Sequence, residues 1–452
     1  MMQKSVIVYG AGISGRGAAQ VLAQRGQQVF LYNDAPCEID AELAQELAAC
    51  GGALVFGPKG FAGLLPKAGQ MVLSPGVPCD APHVLEAENH GLEVISEIEL
   101  GYRLYGGHIA AITGTNGKTT TTTIVGEMFK RLPVPSAVGG NIGLALSKEV
   151  EHLPANGWLA AELSSFQLEK VKNFCPDIAV VLNLTPDHLE RHHTMEAYGE
   201  AKKNIFRRQG PQQITVLNYD DPEVRGWAAE SEGQICYFSR KACLDAGIFM
   251  QNGNFVIKWN NTTNVVCNID ELHLFGGHNE ENVLAAIACG YFAGVSIEDM
   301  ADVLRNFHSI EHRLEYVRTI KGVPYYNDSK ATNTDSAIKA LEAFKDGHII
   351  LLAGGHDKLT ELEPMMRLVK EKCDALILLG EAKERFYRAA VDCGVEHILL
   401  ASSFEDAVRQ AYAMTRPPQV VLLSPACSSY DMFKNYPERG RCFKQLVNDL
   451  PQ

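Results

Sequence analysis

The sequence predicts an α/β protein of three domains. A short apolar strand, a glycine-rich turn and a helix follow one another twice, at residues 5–25 and 108–131. Apolar strands alternate with helices along the rest of the chain. The 452 residues are also too many for one hydrophobic core. We expect an N-terminal domain over residues 1–97, a central domain over 98–309 and a C-terminal domain over 310–452.

The first strand, residues 5–9, runs directly into the turn Gly10-Ala11-Gly12-Ile13-Ser14-Gly15, and the next strand ends at Asn33-Asp34. This G-x-G-x-x-G spacing, with an acidic residue about 20 positions later, is typical of a Rossmann-like dinucleotide site. A helix that starts after such a turn binds any phosphate, including that of a nucleotide sugar. The pattern therefore predicts a pyrophosphate site and leaves the nucleotide open. A strand at 71–73 ends in Ser74-Pro75-Gly76, and the domain closes near Glu97.

The second unit predicts a phosphate loop of the P-loop ATPase kind. A strand at 108–113 leads into Gly114-x-x-Gly117-Lys118-Thr119, a shortened loop because Ile112 stands where the full pattern has a further glycine. Glycines let backbone N–H groups converge on an anion, Lys118 supplies a positive charge, and Thr119 supplies a hydroxyl for magnesium. The run of threonines from 119 to 123 is poor in helix propensity, so we expect bound phosphate to hold the first helical turn.

Polar residues follow two further strands of the central domain. One strand ends at Glu162, and a strongly apolar strand at 177–184 runs into Asp187 and His188. Ligands bind at the carboxyl ends of strands in open α/β sheets, so Glu162 and His188 are candidates for a metal or phosphate site. Taken singly, each residue type also fits a surface carboxylate or a solvated loop histidine. The cluster Asp187, His188, His192 and His193 lacks the regular spacing of a zinc site.

The C-terminal domain is predicted to be Rossmann-like without a glycine turn. A hairpin over 316–326 is followed by strands at 349–353, 375–379, 397–400 and 420–423, with helices between them. Polar residues follow several of these strands.

Composition and charge exclude several classes of function. The net charge of −13 argues against a general nucleic-acid binder or a binder of anionic membranes. No apolar run is long enough to span a bilayer, and the N-terminus enters a strand with no cleavable signal. The 12 cysteines are scattered without a C-x-x-C pair, which indicates reduced thiols in a cytoplasmic protein. The residues alone indicate a magnesium–nucleotide enzyme that joins or phosphorylates a molecule already carrying phosphate.

Several longer motifs together resemble the Mur ligase family, which builds the peptide stem of bacterial cell-wall precursors. They are the runs 113–119 and 162–168, Asn183-x-x-x-Asp187-His188, His278-Asn279-x-x-Asn282 and His312-Arg313. The resemblance covers the whole chain. Within the family, the runs 328–333 and 424–433 are similar to those of the ligase that adds D-glutamate, and no Asp-Asn-Pro-Arg motif is present.

Three alternatives to this resemblance explain fewer of the motifs. Another Mur-type or a folylpolyglutamate ligase shares the central motifs, but the latter lacks a domain like residues 1–97. A nicotinamide-dependent dehydrogenase would use Gly10 to Gly15 and leave Lys118 and Glu162 without a role. A non-catalytic nucleotide sensor would leave the motifs of the third domain unexplained.

The resemblance implies a reaction and its ligands. ATP would phosphorylate the carboxylate of UDP-N-acetylmuramoyl-L-alanine, D-glutamate would attack the acyl phosphate, and two Mg²⁺ ions would assist. It implies catalytic roles for Lys118, Glu162, His188 and Lys202, and Mg²⁺ ligation by Thr119, Glu162, His188 and a carbamate on Lys202. Residue type alone predicts instead that Lys202 is a solvated lysine on a helix over 195–208. We also expect a monomer with no nucleic-acid partner and no membrane insertion.

The resemblance also assigns binding residues to each substrate. For ATP they are Gly114, Thr115, Asn116, Gly117, Lys118, Thr119, Thr120, Asn282, Arg313 and Asp328. For the uridine nucleotide substrate they are Gly12, Ile13, Ser14, Gly15, Asp34, Ser74, Pro75, Gly76 and Asn141. For D-glutamate they are Lys330, Thr332, Lys358, Ser424 and Phe433.

Overall fold

The computed structural model describes residues 4–274, 276–307, 311–344 and 346–451. Within these ranges the chain forms three mostly parallel sheets connected by helices, which confirms the α/β prediction. The chain divides into two compact units, Met1–Glu271 with Glu281–Arg305, and Leu272–Glu280 with Asn306–Gln452. The first unit contains two sheets and the second contains one. The domain boundary near residue 97 stays a prediction, and the boundary at 309/310 falls outside the described residues.

The first sheet is parallel throughout. Its strands are β1 (Ser5–Tyr9), β2 (Val29–Asn33), β3 (Ala53–Phe56), β4 (Ala68–Leu73) and β5 (Glu93–Ser96). Its helices are α1 (Ile13–Gln24), α2 (Ala41–Ala49), α3 (Gly57–Leu64), α4 (Pro82–Asn89) and α5 (Glu97–Leu104). The strand order β3-β2-β1-β4-β5 puts β1 between β2 and β4. The turn after β1 therefore lies beside the ends of β2 and β4, where ligands bind in such sheets.

The second sheet is parallel except for a hairpin extension at one edge. Its strands are β6 (His108–Thr113), β7 (Ser136–Gly140), β8 (Trp158–Glu162), β9 (Ile178–Val181), β10 (Ile214–Asn218), β11 (Gln234–Ser239), β12 (Gly247–Gln251), β13 (Asn254–Trp259) and β14 (Thr262–Asn268). The helices along this part of the chain are α6 (Lys118–Phe129), α7 (Leu146–Glu149), α8 (Ser165–Leu168), α9 (Leu189–His192), α10 (Met195–Lys203), α11 (Pro222–Gly226), α12 (Gly277–Ala293) and α13 (Ile297–Asn306). In the order β14-β13-β12-β11-β10-β9-β6-β8-β7, β6 lies between β9 and β8. The phosphate loop, Glu162 and the segment leading to His188 therefore share one edge.

The third sheet belongs to the second unit. Its strands are β15 (Glu315–Ile320), β16 (Val323–Asn327), β17 (Ile349–Gly354), β18 (Cys373–Leu379), β19 (Ile398–Leu400) and β20 (Val420–Leu423). Its helices are α14 (Thr334–Ala343), α15 (Glu363–Lys372), α16 (Lys383–Asp392), α17 (Phe404–Met414) and α18 (Tyr436–Asp449). The order β15-β16-β20-β17-β18-β19 places β20 between β16 and β17, so the loops after these three strands are neighbours.

Two local details differ from the sequence expectations. Helix α6 begins at Lys118, and Thr119, Thr120, Thr121 and Thr122 are buried, so packing contributes to holding a first turn whose propensity is low; the role expected of bound phosphate stays a prediction. The apolar strand expected over 177–184 is shorter, Ile178–Val181. Beyond it, Asn183 is used to brace the phosphate loop.

Apolar residues pack on both faces of the first and third sheets, in clusters such as that around Val8 and Leu31 and that around Leu351 and Leu376. Among the helices in the described part of the chain, none has both the length and the apolar composition needed to cross a bilayer. All 12 cysteines lie in the described ranges as unpaired thiols.

Candidate functional site

A pocket of about 830 Å³ lies at the carboxyl end of the first sheet. It is lined by all but one of the residues predicted for the nucleotide-sugar substrate, namely Gly12, Ile13, Ser14, Asp34, Ser74, Pro75, Gly76 and Asn141. The first turn of α1 is part of this lining, and the start of a helix favours an anion. We call it the nucleotide-sugar pocket, after the ligand predicted for it.

Gly15, the remaining predicted residue, has a packing role. The carbonyl oxygen of Gly10 lies so close that a Cβ on residue 15 would overlap it. Ser74 Oγ donates to the same carbonyl at 2.8 Å, which joins the turn to the end of β4. The third glycine of the motif therefore allows α1 to pack against the turn, and it does not line the pocket.

Sequence reasoning missed the groups that hold Asp34. Tyr9 and Tyr32 donate their hydroxyls to its two carboxylate oxygens at 2.7 and 3.0 Å. Burial, and then the neighbouring carboxylate, raise the pKa of both phenols, so they remain donors. His83 also lines the pocket and packs on Phe61 with ring centres 4.3 Å apart. The bond from Tyr9 to Asp34 depends on the pairing of β1 with β2, which spacing along the chain does not reveal.

The phosphate loop is braced by asparagines from two other segments. Gly117 precedes α6 with φ +86°, and a Cβ there would overlap the side chain of Asn282. Asn183 accepts from the Asn116 N–H at 2.9 Å and donates to the Asn116 carbonyl at 3.1 Å. The structure thus places the predicted ATP residues from Gly114 to Thr120 beside Asn282.

Two lysine side chains meet at one carbonyl of this loop. Lys118 Nζ donates to Gly114 O at 2.9 Å and to Thr115 O at 2.8 Å, and Lys202 Nζ donates to Gly114 O at 2.8 Å. Lys202 is 1% exposed, so the expectation of a solvated lysine is wrong. Burial, followed by the charge of Lys118, lowers the pKa of Lys202 well below its ordinary value. The neighbouring Lys203 instead bonds the carboxylates of Glu200 and Glu230.

Glu162 is a buried carboxylate and not a surface one. Its Oε1 accepts from Asn141 Nδ2 at 2.9 Å. Its Oε2 is buried with no hydrogen-bond partner in the described residues. A buried carboxylate oxygen without a partner is costly unless a cation or donor approaches it, which fits a magnesium ion.

The protein would supply only some of the ligands of a magnesium ion at Glu162. Among the described residues, no three or more His, Cys, Asp or Glu side chains converge as a metal cage. Mg²⁺ usually takes one or two carboxylates and completes its shell with phosphate oxygens and water. Glu162 beside a phosphate loop suits that mode.

His188 lies on the loop after β9 in the left-handed region, with φ +56°. Its ring packs 4.9 Å from that of Phe166, and its side chain is 38% exposed. His192, one turn later, is buried and bonds Ser165 Oγ at 2.9 Å. The histidines of this segment therefore have different environments.

In the second unit, the structure joins two residues predicted for different ligands. Ser424 Oγ donates to Asp328 Oδ2 at 2.8 Å, and the Leu314 N–H donates to Oδ1 at 3.2 Å. Both side chains are buried, and burial raises the pKa of Asp328 to about 7. Ser424 thus supports Asp328 directly, and its contact with D-glutamate stays a prediction.

The other residues predicted for D-glutamate lie on loops at the same edge of the third sheet. Lys330 Nζ lies 5.8 Å from the ring centre of Tyr436. Lys358 is exposed after β17, Thr332 is half-buried before α14, and the ring of Phe433 packs 5.0 Å from that of Phe404. Their edge position agrees with the prediction, which the contacts do not test.

A fully buried arginine in α18 holds two of these loops and was missed from sequence. Arg439 donates to Ser329 Oγ at 3.0 Å, to Ser329 O at 2.8 Å, and to the carbonyls of Cys427 and Ser428 at 3.1 and 3.2 Å. Only a weak signal in the sequence indicates that Arg439 is buried: it precedes Gly440 inside a helix. A charged residue on a packed helical face needs hydrogen-bond partners.

A phosphate loop at the edge of a parallel sheet, with a buried carboxylate beside it, defines a nucleotide-dependent enzyme. The family models agree with this class. The Mur ligase middle domain matches residues 112–290, and the Mur ligase glutamate ligase domain matches residues 312–427.

Whole-chain relatives identify the family. A UDP-N-acetylmuramoylalanine–D-glutamate ligase of Pelotomaculum thermopropionicum is 44% identical over 99% of this chain and 98% of its own length. The enzyme of the same name from Alkaliphilus metalliredigens is 42% identical over 100% of this chain and 99% of its own length. The chain belongs to the Mur ligase family and is an ATP-dependent ligase that forms amide bonds.

Solved structures show the same fold at lower identity. A pseudomurein peptide ligase type C of Methanothermus fervidus has a TM-score of 0.63 at 18% identity, over 98% of this chain and 100% of that chain. The UDP-N-acetylmuramate–alanine ligase of Thermotoga maritima has a TM-score of 0.60 at 17% identity, over 99% of both chains.

Proposed function

We propose that this enzyme joins D-glutamate to UDP-N-acetylmuramoyl-L-alanine, with ATP, in the synthesis of peptidoglycan precursors. One observation carries the proposal: Asn141 lines the nucleotide-sugar pocket and also bonds Glu162 beside the phosphate loop. A molecule seated in the pocket therefore reaches toward the place where a phosphoryl group would be transferred. The names of the whole-chain relatives support the same substrates.

The nucleotide-sugar pocket would bind the uridine diphosphate of this substrate. The first turn of α1 offers backbone N–H groups and the positive end of the helix dipole to the phosphates. Asp34 is held by Tyr9 and Tyr32 at the end of β2, where its carboxylate would accept hydrogen bonds from hydroxyl groups of the nucleotide.

The reaction passes through an acyl phosphate. A carboxylate is a poor electrophile, so transfer of the γ-phosphate to the carboxylate of L-alanine creates a leaving group, which the amine of D-glutamate then displaces as phosphate. The protein mainly positions the groups and neutralises charge. Lys118 would bind the β- and γ-phosphates, and Asn282, Arg313 and Asp328 stay predicted contacts of the nucleotide.

Thr119, Glu162, His188 and a carbamate on Lys202 would hold Mg²⁺. When bound, the metal supplies Lewis-acid stabilisation of the phosphoryl oxygens. The carbamate forms when the neutral amine of Lys202 adds carbon dioxide and releases a proton, which converts the neutral amine into an anion with two oxygens. The buried position and lowered pKa of Lys202 favour that neutral amine.

Lys330, Thr332, Lys358, Ser424 and Phe433 would surround D-glutamate. Its two carboxylates need cationic and hydroxyl partners, which lysines and Thr332 supply. We further propose that the enzyme is a cytoplasmic monomer.

The deciding assay is phosphate release from ATP in the presence of UDP-N-acetylmuramoyl-L-alanine while the second amino acid is varied. We expect release that depends on D-glutamate and little with L-glutamate, D-alanine or meso-diaminopimelate. Equal release with another amino acid would reassign the second substrate. A parallel titration with NADH tests the pocket, because tight binding of NADH without binding of the UDP-sugar would contradict its assignment.

A further inference from the structure

Arg191, on the short helix α9, bonds the wall of the nucleotide-sugar pocket. Its Nη1 donates to the carbonyl of Pro75 at 3.1 Å, and its Nη2 donates to the carbonyl of Val77 at 3.1 Å. Pro75 and Val77 both line the pocket, on the loop after β4. A side chain carried by the second sheet thus holds a loop of the first.

The same guanidinium is fixed from its other side. It pairs with Glu169, with Nη2 to Oε2 at 2.6 Å and Nε to Oε1 at 3.3 Å, and it lies 4.2 Å from the ring centre of Phe166. The side chains of Arg191 and Glu169 are only 14% and 11% exposed, so solvent screens the pair weakly. Phe166 and Glu169 lie in and just after α8, which follows the strand that ends at Glu162.

Helix α9 has little structure of its own to keep it in place. It spans only four residues, and His188 precedes it in a left-handed conformation that is unfavourable for a residue with a Cβ. Contacts from its side chains must therefore set its position. His192 contacts Ser165 and Glu169, and Arg191 contacts the pocket loop and Glu169.

We infer that Arg191 is a positioning residue that fixes the separation between the nucleotide-sugar pocket and His188. The inference rests on the proposed function, in which the pocket holds the uridine nucleotide and His188 lies near the acyl end of the same substrate. Reactions of positioned groups are sensitive to misplacement of about 1 Å. Loss of Arg191 releases the loop of Pro75 and Val77 together with α9, without removing a group that touches substrate.

The test compares Arg191→Met with Arg207→Met. Arg207 is a matched control, because it also pairs with a glutamate, Glu200, but its other hydrogen bond is to Asn204 on the same segment. In Arg191→Met we expect the KM for UDP-N-acetylmuramoyl-L-alanine to rise about tenfold and kcat to fall by a similar factor, as follows from losing two hydrogen bonds of a charged group. The KM for ATP should stay within about twofold of wild type. Arg207→Met should match wild type in kcat and in the KM values for both substrates.

A second variant keeps the test decisive if Arg191→Met does not fold. Arg191→Lys keeps the charge beside Glu169 but cannot bond both carbonyls, so the KM for the nucleotide sugar should rise about threefold or more. Addition of guanidinium ion to an Arg191→Ala enzyme should restore part of kcat/KM.

Unchanged kinetics in Arg191→Met, or in Arg191→Lys where the first variant is unfolded, would overturn the inference. So would equal increases in the KM values of both substrates, which a general loss of structure predicts. Failure of the proposed function gives a different result, because the wild-type enzyme would then release no phosphate in response to the nucleotide sugar.

Discussion

Arg439→Met tests whether one buried side chain holds the loops after β16 and β20. Arg439 is 0% exposed, and its guanidinium bonds Ser329 through both oxygens and the carbonyls of Cys427 and Ser428. Methionine keeps most of the apolar stem and removes every donor. Four acceptors in the two loops would then lose their charged partner.

The expected cost follows from these four contacts. Hydrogen bonds to a charged group contribute about 1.5–3 kcal/mol each, but burial of the guanidinium opposes them. That opposition is visible in the pKa of Arg439, which burial lowers to about 10. Breaking such a buried network costs about 3–5 kcal/mol. The exposed Arg441, on the same helix, is the control, and Arg441→Met should change stability by less than about 0.5 kcal/mol.

Native-state hydrogen exchange is the appropriate assay, because a chain of two compact units need not unfold in one step. In Arg439→Met, the free energy of opening measured at the amides of residues 327–333 and 424–433 should fall by about 3–5 kcal/mol. A difference of less than about 1 kcal/mol from Arg441→Met would refute the reasoning.

Three further predictions concern the other sites. Gly15→Ala should lower the affinity for the UDP-sugar at least about tenfold in a calorimetric titration, because its Cβ would overlap the Gly10 carbonyl; unchanged affinity would contradict this. Burial raises the pKa of Asp328 from 3.8 to about 7, so its protonated form favours the folded state below pH 3.8 and this stabilisation is lost as pH rises through about 7. Native-state hydrogen exchange of residues 327–333 should show a smaller loss of protection between those pH values in Asp328→Asn than in wild type, and an equal loss in the two proteins would disprove this prediction. Lys202→Ala should nearly abolish phosphate release, and short-chain carboxylic acids should partly restore it; a fully active variant would exclude the carbamate.

The class of fold and the ligand-binding turns could be predicted because they depend on neighbours in sequence. The strands at 5–9 and 158–162 and the hairpin around Lys321 lie where the apolar pattern and turn residues place them. The glycine turn from Gly10 and the loop from Gly114 carry their signal within a few residues. The predicted substrate residues include eight of the 17 residues that line the pocket.

The features that were missed are long-range contacts of polar side chains. Arg191 and Arg439 are both charged residues whose type predicts exposure, yet each is held by carbonyls more than 10 residues away. Lys202 was placed on a solvated helix face for the same reason. Whether a charged side chain is buried depends on acceptors that the fold brings to it, and periodicity along one segment carries no information about those acceptors.

The tight contact between Gly10 and Gly15 has a consequence for evolution and engineering of the pocket. A side chain at residue 15 would overlap the Gly10 carbonyl, so a substitution at that position displaces α1, whereas a Cβ on Gly12 would meet open space. The pocket is also lined by larger side chains, including Tyr9, Asp34 and His83. A change in the nucleotide that this fold accepts can therefore use the side chains around the pocket, while the Gly10–Gly15 contact keeps the start of α1 in place for any ligand with a pyrophosphate.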